Sequence, residues 1–259
     1  MSKIGKPLSV EEKKGLFLEI MDDVDAYCRK QNIRYSLAYG SLIGAIRHHG
    51  FIPWDDDLDI MMPLPDMLRF KNEFKSDKLS YFDIDTLYNY PFAFSSIADL
   101  RTYRKSGLID RTFGVSIDVY PVVGICDNKD GQQIFFESIK SIGKHRWAFL
   151  QLRNRITRAL PLSNIPGFRY WTRRYRDIIN YSFPYGKTNS YFINSGSIAE
   201  TEIIDYDIFD HLINVEFEGR EYLCSAYYDK FLTAYYGNYM EFPPESERHP
   251  YHTSNCYWK

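Results

Sequence analysis

The chain has 259 residues, of which 44% are hydrophobic and 25% are charged, and its formal net charge is −2. This balance is typical of a soluble globular enzyme with one large domain, or with one domain and a helical extension. No apolar run approaches the length of a membrane-spanning helix, which excludes a transmembrane protein. The four cysteines are far apart and form no CxxC pair, which excludes a clustered-cysteine zinc site and a disulfide framework.

The first predicted element is a helix over about residues 9–31. Ser9 and Glu12 have the spacing of a capping box, and apolar residues recur after them at helical intervals. Packing explains this helix fully. No secretory leader precedes it and the cysteines are unpaired, so we expect a reduced, cytoplasmic location.

A strand is predicted over residues 33–39, followed by Gly40, Ser41 and a short apolar helix over 42–46. A Gly-Ser turn between a strand and a helix presents backbone N–H groups that no helical hydrogen bond uses. Such groups bind phosphate oxygens well. The sequence therefore predicts a phosphate-binding turn at Gly40 and Ser41.

The most unusual stretch is the acidic run at residues 55–59, which contains four aspartates. Most runs of this kind are solvated acidic turns. Here the chain continues as a buried strand, and alternation places Asp57 and Asp59 on one face with the apolar residues on the other. Neighbouring carboxylates repel each other unless a cation neutralises them, and Mg²⁺ prefers oxygen ligands. We therefore predict a site for Mg²⁺, or for Mn²⁺ in its place, at Asp57 and Asp59.

Further along the chain, the sequence predicts a helix over 65–75, strands over 81–87 and 92–103, and a second acidic strand over 114–121. Alternation in this last strand places Ser116, Asp118 and Tyr120 on the face opposite its buried apolar residues. A single aspartate in a strand is most often a surface residue, so alternation alone does not assign Asp118 to the metal site.

The segment from Lys140 to Arg176, called the basic segment below, contains ten Lys or Arg residues and no Asp or Glu. It overlaps a largely helical region predicted over 127 to about 160, and aromatic residues are interleaved with its cations. Three interpretations are open: a surface for anionic membrane lipid, a helical subdomain whose arginines pair with the acidic remainder of the chain, and a nucleic-acid-binding region. No nucleic-acid-binding motif is recognisable, so we expect no nucleic-acid partner.

Near the C-terminus, Arg248 offers a planar set of donors that suits phosphate, and His252 adds a further donor. The alternative is a solvated tail. His249 and His252 form an HxxH pair, but no predicted helix brings them together, so a zinc site is not indicated.

Three stretches together resemble the LicD family of phosphotransferases, which is related to the fukutin-related ribitol-phosphate transferases of animals. They are the Gly-Ser turn and acidic run at 39–60, the second acidic strand at 114–121, and the region 215–252, which is similar to the closing hairpin, helix and loop of the family. Asn238 stands where the family often has Asp, and Ser41 where it often has Thr. Neither change removes a hydrogen-bonding group.

The resemblance implies an α+β fold with a nucleotidyltransferase-like mixed sheet, flanking helices and a basic helical insertion. It divides the chain into a catalytic core at 1–126, the insertion at 127–200, and a C-terminal hairpin, helix and loop at 201–259. It also implies that Asp118 joins Asp57 and Asp59 as catalytic and metal-binding residues. The implied substrate-binding residues are Gly40, Ser41, Arg47, Asp55, Arg101, Arg248 and His252.

The implied reaction is the metal-dependent transfer of a phospho-alcohol, such as phosphocholine, from a cytidine diphosphate donor to a sugar hydroxyl. The acceptor would be a cell-surface glycan or its lipid-linked precursor, and the second of these would bring the protein to the inner face of the membrane. One alternative is a nucleotidyltransferase that uses a nucleoside triphosphate. The other is a non-catalytic lipid- or glycan-binding protein, against which the intact aspartates argue because unpaired carboxylates cost stability.

Overall fold

The computed structural model describes residues 5–88, 90–105, 113–156, 167–196, 199–250 and 255–259. Helices and a mixed sheet are both present in these ranges, which confirms the predicted α+β class. The helices are α1 Val10–Gln31, α2 Tyr39–Ile43, α3 Leu64–Glu73, α4 Lys129–Ile156, α5 Phe168–Tyr181 and α6 Tyr228–Tyr236. The strands are β1 Ser36–Leu37, β2 Asp59–Pro63, β3 Leu79–Phe82, β4 Ser95–Asp99, β5 Thr102–Lys105, β6 Ser116–Ile125, β7 Ser190–Ile193, β8 Ile203–Ile204, β9 Leu212–Phe217, β10 Arg220–Ser225 and β11 Asn255–Trp258.

Helix α1 begins as the sequence predicts. The backbone N–H of Glu12 donates to Ser9 Oγ at 3.1 Å, and the Ser9 N–H donates to the Glu12 carboxylate at 2.8 Å, so the capping box is complete. The apolar stripe of the helix, which includes Phe17, Ile20 and Val24, is buried in the main core.

Strand β6 is the centre of a seven-stranded sheet. The path through the sheet is β1-β2-β6-β4-β3, and β7 continues from β6 to β8. Strands β2 and β6 run parallel, and the other neighbouring pairs of this sheet are antiparallel. The first half of β6 lies between β2 and β4, and its apolar residues are fully buried, so any polar side chain there is held in a rigid frame.

Several boundaries differ from those predicted. The first strand is only two residues long, because Tyr39 takes a φ of 46° and begins α2. Asp57 precedes β2, which starts at Asp59. The strand expected over 81–87 ends at Phe82, since Asp83 Oδ1 accepts from the N–H groups of Asp85 and Thr86 and turns the chain.

The predicted helical insertion contains α4 and α5, and it then returns to the main sheet as β7, which is completely buried beside β6. The expected C-terminal hairpin is β9 and β10, and α6 follows it. Strand β11 pairs with β5 in a separate two-stranded sheet. None of the helices in the described ranges is both long and apolar enough to cross a membrane.

Candidate active site

The aspartates meet where two neighbouring parallel strands begin. Asp59 on β2 lies directly opposite Asp118 on β6. Asp57 comes two residues before Asp59, on the stretch that enters β2. The sheet register brings Asp59 beside Asp118, which the resemblance implied as a ligand, and Asp57 precedes them on the chain; we call these three aspartates the acidic cluster.

Hydroxyl groups position the acidic cluster. The Asp59 backbone N–H donates to Ser41 Oγ at 2.8 Å, which joins the Gly-Ser turn to the start of β2. The Tyr120 hydroxyl donates to Asp59 Oδ1 at 3.1 Å, and the Ser96 hydroxyl donates to Asp118 Oδ1 at 2.7 Å. Such partners fix the orientation of carboxylates that are to bind a metal ion.

The carboxylates of this region are close enough to repel each other. Burial raises the pKa of Asp59 well above its usual range, and the nearby charges of Asp57, Asp118 and Asp55 raise it further. Burial also raises the pKa of Asp55, and the nearby charge of Asp57 raises that pKa further. A cation bound here would relieve this repulsion.

The donor chemistry of the acidic cluster fits a hard divalent cation, which prefers carboxylate oxygens. Within the described ranges, no three His, Cys, Asp or Glu side chains already converge on one point as metal ligands do. The carboxylates would therefore have to turn towards an ion as it binds. Asp57 and Asp118 already interact with other groups of the protein, so these carboxylates are not without partners before an ion binds.

Two cavities meet at the acidic cluster, and Asp57 lines both of them. The large cavity has a volume of about 630 Å³ and is lined by Gly40, Asp55, Asp59 and the loop that follows α6, residues 237–250, which we call the C-terminal loop. The small cavity has a volume of about 260 Å³ and is lined by Asp118 and by residues of α1, β4, β5 and β6. Two substrates can therefore approach the same carboxylates from different sides.

Gly40 and Ser41, predicted to form a turn before a helix over 42–46, lie instead in the first turn of α2, and Gly40 lines the large cavity. A Cβ atom at position 40 would lie 2.7 Å from Asp55 Oδ2, so glycine is required for Asp55 to approach the turn. Ser41 is buried, and its oxygen accepts from Asp59. The structure thus gives Ser41 a positioning contact that the sequence did not reveal.

Of the two predicted arginines in this region, Arg47 lines the large cavity, and Arg248 contacts its lining residues Trp54 and Pro243 without lining it. Arg47 Nη1 donates to the carbonyl oxygens of Tyr239 and Glu241, at 2.6 and 2.9 Å. Arg248 Nε donates to the Pro243 carbonyl at 2.8 Å, and its guanidinium stacks on Trp54. Both guanidinium groups lie over the Phe242 ring, and burial together with the nearby charge of Arg248 lowers the pKa of Arg47. His252 lies outside the described residues.

Arg101 is not brought to the acidic cluster. Its guanidinium donates to the fully buried Asp99 carboxylate at 2.6 Å and to Glu19 at 2.6 Å. It lines neither cavity. Its position beyond the end of β4 places it against α1, away from both cavities.

Sequence reasoning did not assign a role to Ser96, Arg104 or Tyr120. Tyr120 shares a face with Asp118 by alternation, which was a usable signal. Ser96 and Arg104 come from other strands and reach the site through sheet pairing and the β5–β11 ladder. No local pattern in the sequence indicates such contacts.

Several arginines of the basic segment contact the rest of the chain. Arg146 donates to the Pro91 carbonyl at 2.8 Å, and Arg169 donates to the Tyr88 carbonyl at 2.8 Å. Arg173 pairs with Asp85 at 2.9 Å, and Arg176 pairs with the same aspartate. These contacts agree with the helical-subdomain interpretation. Residues 157–166 of the segment lie outside the described ranges.

The sequence comparisons identify the domain that contains this site. Residues 32–132, which include the Gly-Ser turn and all three aspartates, match the model of the LicD/FKTN/FKRP nucleotidyltransferase domain. The chain carries a LicD-family domain. The resemblance drawn from the motifs is confirmed.

Full-length similarity extends beyond the LicD-family domain. The chain is 29% identical to the lipopolysaccharide cholinephosphotransferase LicD of Haemophilus influenzae, over 97% of this chain and 99% of that protein. An uncharacterized protein of Rickettsia typhi is 43% identical over 26% of this chain, and one of Rickettsia prowazekii is 46% identical over 21%. The basic segment and the C-terminal loop therefore have counterparts in the Haemophilus protein.

Proposed function

We propose that this protein is a metal-dependent transferase that moves phosphocholine from cytidine diphosphate choline to a sugar hydroxyl of a cell-surface glycan or its lipid-linked precursor. The observation that supports this most is the acidic cluster, because it lies between two cavities and Asp57 lines both. A transfer reaction needs a donor and an acceptor at the same reacting atoms. The near full-length similarity to a cholinephosphotransferase supports the choice of phosphocholine.

The proposed reaction assigns different roles to the residues of the site. Asp57, Asp59 and Asp118 would hold Mg²⁺ or Mn²⁺, and a bound ion would neutralise charge on the donor diphosphate. Ser96, Tyr120 and the Ser41 oxygen keep the cluster in position.

In the reaction, the acceptor hydroxyl oxygen forms a bond to the phosphorus that bears the alcohol. The bond from that phosphorus to the bridging oxygen breaks, and cytidine monophosphate leaves with the electron pair. A carboxylate of the acidic cluster accepts the hydroxyl proton. Gly40 and Arg47 at the large cavity, and Arg248 stacked on Trp54 of its wall, would bind or orient the phosphate on the nucleotide side of the donor.

A donor panel tests this proposal. Purified protein is incubated with Mg²⁺, a glycan acceptor and cytidine diphosphate esters of choline, ribitol and glycerol. Faster release of cytidine monophosphate from the choline ester than from the others would support the proposal. Release of pyrophosphate from cytidine triphosphate would indicate nucleotidyl transfer instead, and absence of both products would indicate a binding protein.

The predicted phosphate contact of Arg248 is tested by replacing it with lysine. Arg248→Lys keeps the charge but loses the planar donors that hold Pro243 and stack on Trp54. We expect kcat/KM for the donor to fall about tenfold or more, which corresponds to about 1.4 kcal/mol. Glu247→Gln, at a neighbouring position that lines the large cavity, should not lower the rate, because an acid beside phosphate contributes no attraction. Wild-type kinetics for Arg248→Lys would remove the C-terminal loop from the phosphate site.

We further propose that the basic segment binds anionic lipid at the inner face of the membrane through its exposed residues. Trp147 and Tyr170 are 61% and 62% exposed. Lys144, three residues before Trp147, and Arg174, four residues after Tyr170, are also exposed. Exposed aromatic and basic side chains of this kind favour a lipid interface.

Sedimentation with liposomes tests the lipid contact. The double variant Lys144→Glu, Arg174→Glu should lose binding to anionic vesicles, and salt should weaken binding of the wild type. The matched control Lys75→Glu, Lys187→Glu changes the charge equally at exposed sites outside the segment. If both double variants sedimented equally, only the interpretation of the segment as a helical subdomain would remain.

A further inference from the structure

The small cavity beside the acidic cluster has chemically different ends. On β6, Ser116, Asp118 and Tyr120 all line it, and alternate residues of a strand are roughly 7 Å apart. Asp118 therefore lies near the middle of the cavity. One end lies beside Arg104 of β5, and the other lies beside Phe92 and Phe94, which precede β4; Phe17 and Phe113 also line the cavity.

The end near Ser116 is cationic. Arg104 of β5 lines the cavity there, and its backbone N–H donates to the Phe113 carbonyl at 2.9 Å. Its Nε is buried and has no hydrogen-bond partner among the described residues. A buried donor without a partner costs free energy, so an acceptor from a ligand would be stabilising. Lys13 of α1 also lines this cavity.

The end near Tyr120 is aromatic. Phe94 packs edge-on against Tyr120 with 4.9 Å between ring centroids, and Phe92 stacks on Phe94 at 4.8 Å. Phe92 and Phe94 are only partly buried and line the cavity. Aromatic faces attract quaternary ammonium groups, and the attraction increases where water is excluded.

We infer that the small cavity binds the phospho-alcohol end of the donor, with its quaternary ammonium group against Phe92 and Phe94 and the oxygens of its alcohol-bearing phosphate between the acidic cluster and Arg104. This inference rests on the proposed function and adds to it the residues that select a cationic alcohol. A zwitterionic ligand matches a cavity with aromatic and cationic ends, whereas a polyhydroxy alcohol would leave the aromatic faces without a matching group.

The test compares two donors of the same shape. One is cytidine diphosphate choline, and the other is its neutral analogue, in which carbon replaces the ammonium nitrogen. Both kcat/KM and the calorimetric Kd are measured with Mg²⁺ present. The wild type should prefer the charged donor at least about fivefold. Phe92→Leu should reduce this preference about fivefold, because it removes the aromatic face and keeps apolar bulk.

Phe82→Leu is the matched control. Phe82 packs in the same small hydrophobic cluster as Phe92 but does not line the cavity, so it should keep the wild-type preference. A second pair tests the cationic end: Arg104→Gln should weaken binding of inorganic pyrophosphate with Mg²⁺ about tenfold, and Lys105→Gln on the exposed side of β5 should not.

Equal use of both donors by the wild type would overturn the inference, even if no variant folds. So would a Phe92→Leu protein that keeps the full preference, or an Arg104→Gln protein that binds pyrophosphate as tightly as the wild type. The proposed function would survive these results, because the choline ester would still be consumed. If the wild type neither binds nor consumes any cytidine donor, the proposed function fails and the inference fails with it.

Discussion

Asp59→Asn is expected to abolish transfer while leaving the metal-free protein at least as stable as the wild type. Asp59 lies opposite Asp118 and is one of the three proposed metal ligands. A bound metal ion contributes several kcal/mol to transition-state stabilisation, so a loss of about 1,000-fold in kcat is expected.

The stability part of this prediction follows from the pKa of Asp59. Burial and neighbouring carboxylates raise that pKa in the folded protein, so keeping the group ionised at neutral pH opposes folding. Asparagine removes this cost. The melting temperature without metal should therefore stay the same or rise, and Mg²⁺ with donor should raise it in the wild type but not in the variant.

Asp77→Asn is the control, since it makes the same chemical change at an exposed position away from the site. It should keep the wild-type rate and the stabilisation by Mg²⁺. A rate within a few-fold of the wild type for Asp59→Asn would show that this carboxylate is not a metal ligand.

Ser41→Ala is expected to reduce both activity and stability. Its hydroxyl oxygen accepts the Asp59 backbone N–H at 2.8 Å in a buried environment. Removing the acceptor leaves a buried donor unsatisfied, which costs about 1–3 kcal/mol of unfolding free energy. Loss of a group that positions a metal ligand typically lowers metal affinity or activity about 10- to 100-fold.

Ser41→Thr is the matched comparison, because it keeps the oxygen and is the residue that the family often has at this position. It should retain most of the rate and the denaturation midpoint. If Ser41→Ala were as stable and as active as Ser41→Thr, the hydrogen bond to Asp59 would have no role in positioning the acidic cluster.

Much of the local structure could be predicted because it depends on neighbouring residues. The capping box of Ser9 and Glu12 defines the start of α1 through contacts three residues apart. Alternation of apolar and polar residues assigned the face of Asp118 on β6, since side chains of a strand point to opposite sides in turn. The long motif at 39–60 was specific enough to indicate the family.

Element boundaries were less predictable, because they depend on contacts beyond the local pattern. The predicted strand at 33–39 is shortened by the left-handed φ of Tyr39, whose hydroxyl donates to the buried Glu202 at 2.7 Å. The partner is far away in sequence, and no hydrophobic period contains it. The buried strand β7 was hidden for a similar reason: its four residues are too few to show a period within a segment rich in helix.

The sequence by itself was enough to identify the aspartates of the site, the Gly40-Ser41 pair and the family to which their pattern belongs. Only the tertiary structure decided which groups share the site. It paired Arg101 with Asp99 and Glu19, away from the cluster, and brought Arg104, Phe92 and Phe94 to the small cavity. The physical reason is that strand register and the packing of α1 bring together residues that are far apart in the chain, and these contacts leave no periodic signal in the sequence.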